Sequence, residues 1–331
     1  MLTEFIISAV LSFVVTAVLG RLLIPVLKSV KMGQKILDIG PRWHKSKEGT
    51  PTMGGLFFIS GILICAMTLG VYEASKHEGE LGMLLVSLGF MLLCGLTGLI
   101  DDYVKFFKKQ NKGLTPNQKM ILQLFSAALY LVGLNAVGRL STVLRFPFTD
   151  FCIDLGVFFY PLAILGIVFF VNAVNLTDGI DGLAASVTLM AAIFFSVAAH
   201  RFFAAYADAT MLILCGAVIG GMLGFLVYNF HPARVFMGDT GSLFLGGTVV
   251  CLAFWLELPL ILVGVGIIYI AEAVSVIIQV TVYKLTKKRV FKMTPIHHHF
   301  EMCGWGEIKI VTVFSLVTAA ASALVLYGYL A

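Results

Sequence analysis

The sequence predicts an all-α polytopic integral membrane protein with ten transmembrane helices and both termini on the extracytoplasmic side. Three observations carry that prediction. Hydrophobic residues make up 59% of the 331 and charged residues only 12%, against about 25% charged in a soluble domain. Ten apolar runs approach the roughly 20 residues that a helix needs to cross a bilayer. The lysines and arginines gather in alternate loops. The composition excludes a water-soluble globular enzyme and a disordered chain. No large soluble domain fits beside the spans, so residues 1–331 read as one membrane-embedded domain.

In chain order the predicted spans cover residues 5–27, 54–71, 81–100, 120–137, 157–174, 183–199, 211–228, 243–256, 258–283 and 308–330. The first has no basic segment ahead of it and runs past twenty residues, too long for a signal-peptide core. The third ends against Asp101-Asp102. The eighth is short and forms a tight hairpin with the ninth around Glu257 and Pro259, with Thr240 to Ser242 available to lengthen its start. The ninth is long, encloses Glu272 and Gln279, and is expected to bend or break. Of the 23 basic residues, 18 fall in the odd-numbered loops and four (Lys76, Arg139, Arg145, Arg201) in the even ones, with Arg21 in the first span. The positive-inside rule places the odd loops in the cytoplasm. The six cysteines (Cys65, Cys94, Cys152, Cys215, Cys251, Cys303) show no CxxC spacing, which argues against a disulfide framework or a structural zinc site.

The same odd loops hold the unusual polar residues: Asp101-Asp102, the run 172–183 with Asn175, Asp178 and Asp181, the run 229–242 with Asn229, His231, Phe236 and Asp239, and the run 295–301 with His297, His298 and His299. Four sequence-distant clusters on one membrane face can converge on one site. Two adjacent acids at a helix C-terminus oppose its partial negative charge, so they require a metal or a basic partner, and Lys105 meets part of that need. Asp181 is suited to capping the sixth span. Asp178 and Asp181 resemble a fragment of a calcium loop, but no Glu follows at the required place, whereas a short acidic, glycine-rich loop suits a hydrated Mg²⁺. Asp239 reads either as a helix N-cap or as a metal ligand, with Gly241 and Ser242 facing phosphate at a helix start. Phe236 suits stacking on a nucleobase or contact with lipid, and the residues alone favour lipid. Three consecutive histidines point in different directions, so one or two can meet phosphate while the third packs. Glu272, an acid within a span, suits a structural hydrogen bond or a groove wall.

These motifs resemble the polyprenyl-phosphate N-acetylhexosamine-1-phosphate transferases. The matching features are the runs 51–55, 101–102, 172–183, 236–242 and 295–301, in an order that covers residues 40–307. The first and last of them point to the muramoyl-pentapeptide branch. The resemblance implies ten transmembrane helices with both termini outside, Mg²⁺ dependence, a homodimer in the bacterial inner (plasma) membrane, and an active site on its cytoplasmic face. It implies transfer of phospho-MurNAc-pentapeptide from UDP-MurNAc-pentapeptide to undecaprenyl phosphate, releasing UMP and leaving lipid I for peptidoglycan synthesis. By position it assigns the metal to Asp239 and uracil contacts to Phe236, Asp181, Asn229, Lys47 and Thr52. Further essential polar residues fall on Asp101, Asp102, Lys119, Asn175, Asp178, His298 and His299. Membrane lipid is an expected partner and nucleic acid is not.

The expected chemistry is phosphoryl transfer between two anions, where positioning and cation stabilisation do most of the catalysis. A lipid phosphate with a second pKa of about 6 is largely dianionic at neutral pH, which favours direct attack on the β-phosphorus. An aspartyl phosphate on Asp101 or Asp102 is the rival scheme. Two other readings stay open. A transporter of a nucleotide-linked solute would place its polar residues near the midplane of repeated helices, but here they sit at one interface and the halves show no repeat. The other is a sister transferase using UDP-GlcNAc, which the run 295–301 argues against.

Overall fold

The computed structural model describes residues 1–29, 47–107, 113–203 and 208–330. Seven of the basic residues counted above (Lys31, Lys35, Arg42, Lys45, Lys108, Lys109, Lys112) lie outside the described residues. The long helices are α1 (Leu2–Ser29), α2 (Gly55–Cys65), α4 (Glu80–Phe107), α5 (Pro116–Ala136), α6 (Phe159–Thr177), α7 (Leu183–Phe203), α8 (Thr210–Asn229), α9 (Gly238–Trp255), α11 (Ile267–Thr286) and α13 (Glu307–Leu330). Helix α2 continues through a π-helical turn, Ala66–Gly70, into the short α3, Val71–Ala74. Among the described residues, nine helical segments are long and apolar enough to cross a membrane. Helix α9, the eighth predicted span, is the tenth long helix and lies outside that set of nine.

Small residues decide how the helices approach. Helix α1 buries Ser8, Ser12, Thr16, Gly20 and Ile24, one residue per turn, and leaves most of its surface to lipid. It packs against α8, where Gly216, Gly220 and Gly224 stand four apart and any Cβ would run into Ser8, the Ala9 carbonyl or the Phe13 carbonyl. Small residues at every fourth position let two backbones meet closely in lipid, where hydrophobic burial gives no drive to associate. Helix α9 forms the centre: every residue from Thr240 to Trp255 is buried, between α4, α6, α2 and α7. Large apolar side chains such as Leu22, Ile121, Phe125, Leu165 and Leu324 are exposed on the outer faces, as lipid contact requires.

Several predicted boundaries shift. The third span runs to Phe107, not to residue 100, so Asp101 and Asp102 stand within the helix rather than at its C-terminus. The dipole penalty expected for them is therefore weaker, and their cost is burial. The eighth begins at Gly238, five residues earlier than expected, because polar residues close to the interface still complete the helical hydrogen bonds. Helix α5 starts at Pro116 behind a capping box of Thr115 and Gln118, in which two otherwise free backbone donors are satisfied reciprocally. The ninth span breaks as expected: a 3₁₀ turn at Pro259–Ile261 and the short α10, Leu262–Val265, precede α11, with the interruption at Gly266. Unforeseen in the sequence is an antiparallel hairpin of β1 (Val143–Arg145) and β2 (Cys152–Asp154), pairing Val143 with Asp154 and Arg145 with Cys152.

Candidate active site

Helix α9 delivers Asp239 because two glycines clear its path. A Cβ at Gly98 of α4 would strike the Asp239 carbonyl, and one at Gly55 of α2 would strike the backbone of Gly241. The segment ahead of α2 is stitched to the segment ahead of α9: Phe236 N donates to the Pro51 carbonyl at 2.8 Å, Gly54 N to that of Phe236 at 2.9 Å, and Gly55 N to that of Met237 at 3.0 Å. Thr52 and Asp102 both border Gly238. Phe236 is half-buried, its backbone pinned by this ladder.

Around Asp239 the predicted residues converge. Lys105 Nζ sits 2.6 Å from Asp101, 2.7 Å from Asp239 and 3.8 Å from Asp102. Lys119 Nζ lies 3.1 Å from Asp239 and 3.5 Å from Asn175 Oδ1. Asn175 Nδ2 donates to Asp239 Oδ1 at 2.8 Å and to Ser242 Oγ at 2.7 Å. Asp102 accepts from Thr240 N and Thr240 Oγ1 at 2.9 and 2.7 Å and from Asp239 N at 3.2 Å. Asp101 accepts from Leu114 N at 2.9 Å. Asp101, Asp102 and Asp239 each present a ligand oxygen within 4.8 Å of the others. Three hard carboxylates are a donor set for a divalent cation such as Mg²⁺, and the Lys105 ammonium among them shows that the place favours positive charge.

A second group adjoins it. Lys47 Nζ bridges Asp181 at 2.7 Å and Glu307 at 2.6 Å. Asp181 also accepts from Ala233 N at 2.9 Å, and His231 Nδ1 lies 3.0 Å from it. Asn229 Oδ1 accepts from Gly182 N at 3.1 Å, while its Nδ2 donates to the Val235 carbonyl at 2.9 Å. Asp178 stands between the two groups. Burial, then the charges of Asp239, Asp102 and Asp181, push its carboxyl up to about 8.

The histidines separate, as three successive side chains must. His297 is fully buried with Nδ1 3.0 Å from Glu272 and its ring against Gly179, which seats the short α12 (Ile296–Glu301) under the turn between α6 and α7. Glu272 accepts the structural hydrogen bond expected of it from His297 N, at 3.4 Å. His298 Nδ1 lies 2.6 Å from Glu301. His299 accepts from Lys292 N at 3.2 Å and stands edge-on to Phe291, turned toward the loop ahead of α12.

Three expectations are corrected. Asp239 is not an N-cap: it lies in the first turn of α9 after Met237, and among the described residues no side chain caps that end. Asp181 does not cap α7, because its oxygens bind Lys47, Ala233 N and His231. Gly241 and Ser242 do not face phosphate: Gly241 packs on Gly55, and Ser242 Oγ takes Asn175 and donates to the Gly238 carbonyl. Sequence reasoning gave Glu307 no place in the site, used Lys105 only as a partial counter-charge to Asp101-Asp102, and named His231 only among the polar residues of its loop. Lys105 had a signal, standing four after Asp101 and three after Asp102 on a helix. Glu307 had none, since its partner Asp181 is 126 residues away.

The profile of glycosyl transferase family 4 matches residues 83–257, and the phospho-N-acetylmuramoyl-pentapeptide-transferase signature 1 matches residues 47–59. The chain is 46% identical to the phospho-N-acetylmuramoyl-pentapeptide-transferase of Clostridium novyi (strain NT) over 325 residues, 98% of this chain and 95% of the relative. It is 45% identical to that of Clostridium perfringens (strain SM101 / Type A), covering 95% and 94%. It is 46% identical to that of Acetivibrio thermocellus, covering 93% and 90%.

Proposed function

From the premise that the chain belongs to the phospho-N-acetylmuramoyl-pentapeptide-transferase family, within glycosyl transferase family 4, we propose how its residues carry out that family's reaction. The chain transfers phospho-MurNAc-pentapeptide from UDP-MurNAc-pentapeptide to undecaprenyl phosphate, forming lipid I for peptidoglycan synthesis and releasing UMP. It is a multi-pass membrane protein. In our reading it is a single domain with ten spans, both termini outside and the site at the cytoplasmic face of the bacterial inner membrane, and it works as a homodimer.

The observation that carries the mechanism is the convergence of two further carboxylates, Asp101 and Asp102, and two ammonium groups on Asp239. Asp239, with Asp101 and Asp102 beside it, would hold Mg²⁺, which when bound supplies positive charge for the pyrophosphate and the departing UMP. Lys119 and Lys105 then lie free to meet the phosphates. His298 is proposed to share that charge, and His299 to set the loop that positions it. Phe236, Thr52, Asn229, Asp181 and Lys47 form the nucleotide end, and Asn175 and Asp178 join it to the cation end. In this scheme an oxygen of the lipid phosphate bonds to the β-phosphorus while the bond to the bridging oxygen breaks, and UMP leaves with that electron pair. Direct attack is supported by how fully Asp102 is engaged: both its oxygens accept from the start of α9, which suits a positioning residue better than a nucleophile.

Purified protein in detergent with UDP-MurNAc-pentapeptide, a polyprenyl phosphate and Mg²⁺ should release UMP in step with a lipid-linked product. Product formed from UDP-GlcNAc instead, or no product, would overturn the substrate assignment. Exchange of labelled UMP into UDP-MurNAc-pentapeptide that persists as co-purified lipid falls to zero would establish a covalent intermediate and sink direct attack.

A further inference from the structure

A separate polar cluster lies at the other end of the bundle. Glu80 opens α4, and Asp101 stands 21 residues further along that helix, which at about 1.5 Å per residue places the two ends roughly 30 Å apart. The transfer chemistry does not reach there. Yet Glu73, His77 and Asp208 each offer a ligand atom at that end, all within 4.8 Å of one another. Glu73 and His77 are four apart, on α3 and the turn after it. Asp208 stands just before α8.

Asp208 is the residue that calls for a ligand. It is only 5% exposed. Its Oδ1 accepts from Thr210 N and Thr210 Oγ1 at 2.8 and 2.6 Å, but its Oδ2 is buried with no partner among the described residues. A carboxylate oxygen removed from water without a donor is costly to keep. The cations at this end face other acids: Arg139 pairs with Glu80 at 3.0 Å, with its Nε left without a partner among the described residues, and Lys76 pairs with Glu73 Oε2 at 2.7 Å. The other Glu73 oxygen faces His77 Nε2 at 3.7 Å. A cavity of about 590 Å³, bordered by His77, Glu80, Arg139, Asp208, Trp255 and Glu257, gives an ion access.

We propose that Glu73, His77 and Asp208 form a zinc-class divalent metal site that ties the turn after α3 to the start of α8, at the end of the bundle opposite the transfer site. Zinc accepts both imidazole nitrogen and carboxylate oxygen, and three protein ligands with water in the fourth position complete its tetrahedron. Magnesium selects oxygen ligands and gives up its water reluctantly, so the histidine separates this site from the all-carboxylate one. Zinc bonds nitrogen and oxygen at about 2.0–2.2 Å, and side-chain rotation can close donors already within 4.8 Å. Lys76, with its side chain 46% exposed, can turn to water as the ion takes over Glu73. Binding to the folded chain alone stabilises it, so the role is to staple the fold rather than to act in turnover.

The test uses chelator-stripped, full-length protein in detergent with excess Mg²⁺ to fill the all-carboxylate site. Titration with ZnCl₂ should show an equivalent bound per chain, beyond any held by the group of Asp181, His231 and Glu307, and a raised unfolding temperature. Asp208→Asn and His77→Gln should weaken zinc binding at least tenfold and remove the thermal shift, with transferase activity in Mg²⁺ unchanged. Zinc binding equal to wild type in both variants, or no zinc equivalent bound by wild type, overturns the site. Should a variant fail to fold, wild type alone decides: zinc should protect His77 from diethyl pyrocarbonate, read by peptide mass spectrometry, and unchanged labelling of His77 overturns the proposal.

Discussion

Lys105 occupies the point where three carboxylates meet, and its ammonium does before binding what a divalent cation would do after it. The three acids stay together at a buried position because that charge lies within 3.8 Å of each. Replacing it by Lys105→Met should lower the unfolding temperature in chelator, and added Mg²⁺ should recover more of the loss than it adds to wild type. An equal Mg²⁺ shift in both proteins would deny Lys105 that role. Asp239→Asn keeps shape but removes the charge that two lysines and the cation share. It should abolish turnover in Mg²⁺ while size-exclusion and thermal profiles stay native, and near-normal activity would reject Asp239 as the metal ligand. Phe236→Ala tests the nucleotide end. Stacking a base on an aromatic ring contributes about 1–3 kcal/mol, so calorimetry should find UMP binding weakened several-fold to about a hundredfold. Unchanged affinity would leave Phe236 as a lipid contact.

At the scale of elements, close backbone approaches set the site. Gly98 and Gly89 share α4, but a Cβ at Gly98 would meet the Asp239 carbonyl, while a Cβ at Gly89 meets nothing within 4 Å. Gly98→Ala should therefore cost about 1–3 kcal/mol by overpacking and displace Asp239, with a large fall in turnover. Gly89→Ala should be neutral or slightly stabilising through helix propensity. Thermal unfolding and turnover of the pair check this, and equal behaviour would remove the close approach as the device that positions α9. The hydropathy runs located the long helices but stopped them early where polar residues begin. Helix α4 continues past Asp101 and Asp102 because Lys105, Leu114 N and Thr240 satisfy those acids, and none of those partners is visible in a hydropathy window.

At the scale of the molecule, two natural cysteines test the orientation. Cys152 on β2 and Cys303 after α12 are exposed, and the other four are buried. With odd loops cytoplasmic, a membrane-impermeant maleimide should label Cys152 but not Cys303 in intact cells, and both after permeabilisation. The reverse pattern would invert the topology. The composition and the skew of 18 basic residues to one set of loops are enough to argue a polytopic protein with its polar motifs on one face, because hydropathy and charge act locally and sum along a chain.

The sequence by itself determined the membrane class, the approximate spans, the break in the ninth, and which polar residues stand out in each loop. Only the tertiary structure decided who partners whom: Lys47 with Asp181 and Glu307, 134 and 260 residues distant, and Asn175 with Asp239, 64 residues distant. It also turned Ser242 and Gly241 inward, and it left Asp208 with an oxygen that has no partner among the described residues at the far end. The physical reason is range. Helical period and apolar run length are properties of neighbours along the chain, whereas an ion pair between segments exists only once glycines such as Gly55 and Gly98 let their helices close to backbone contact.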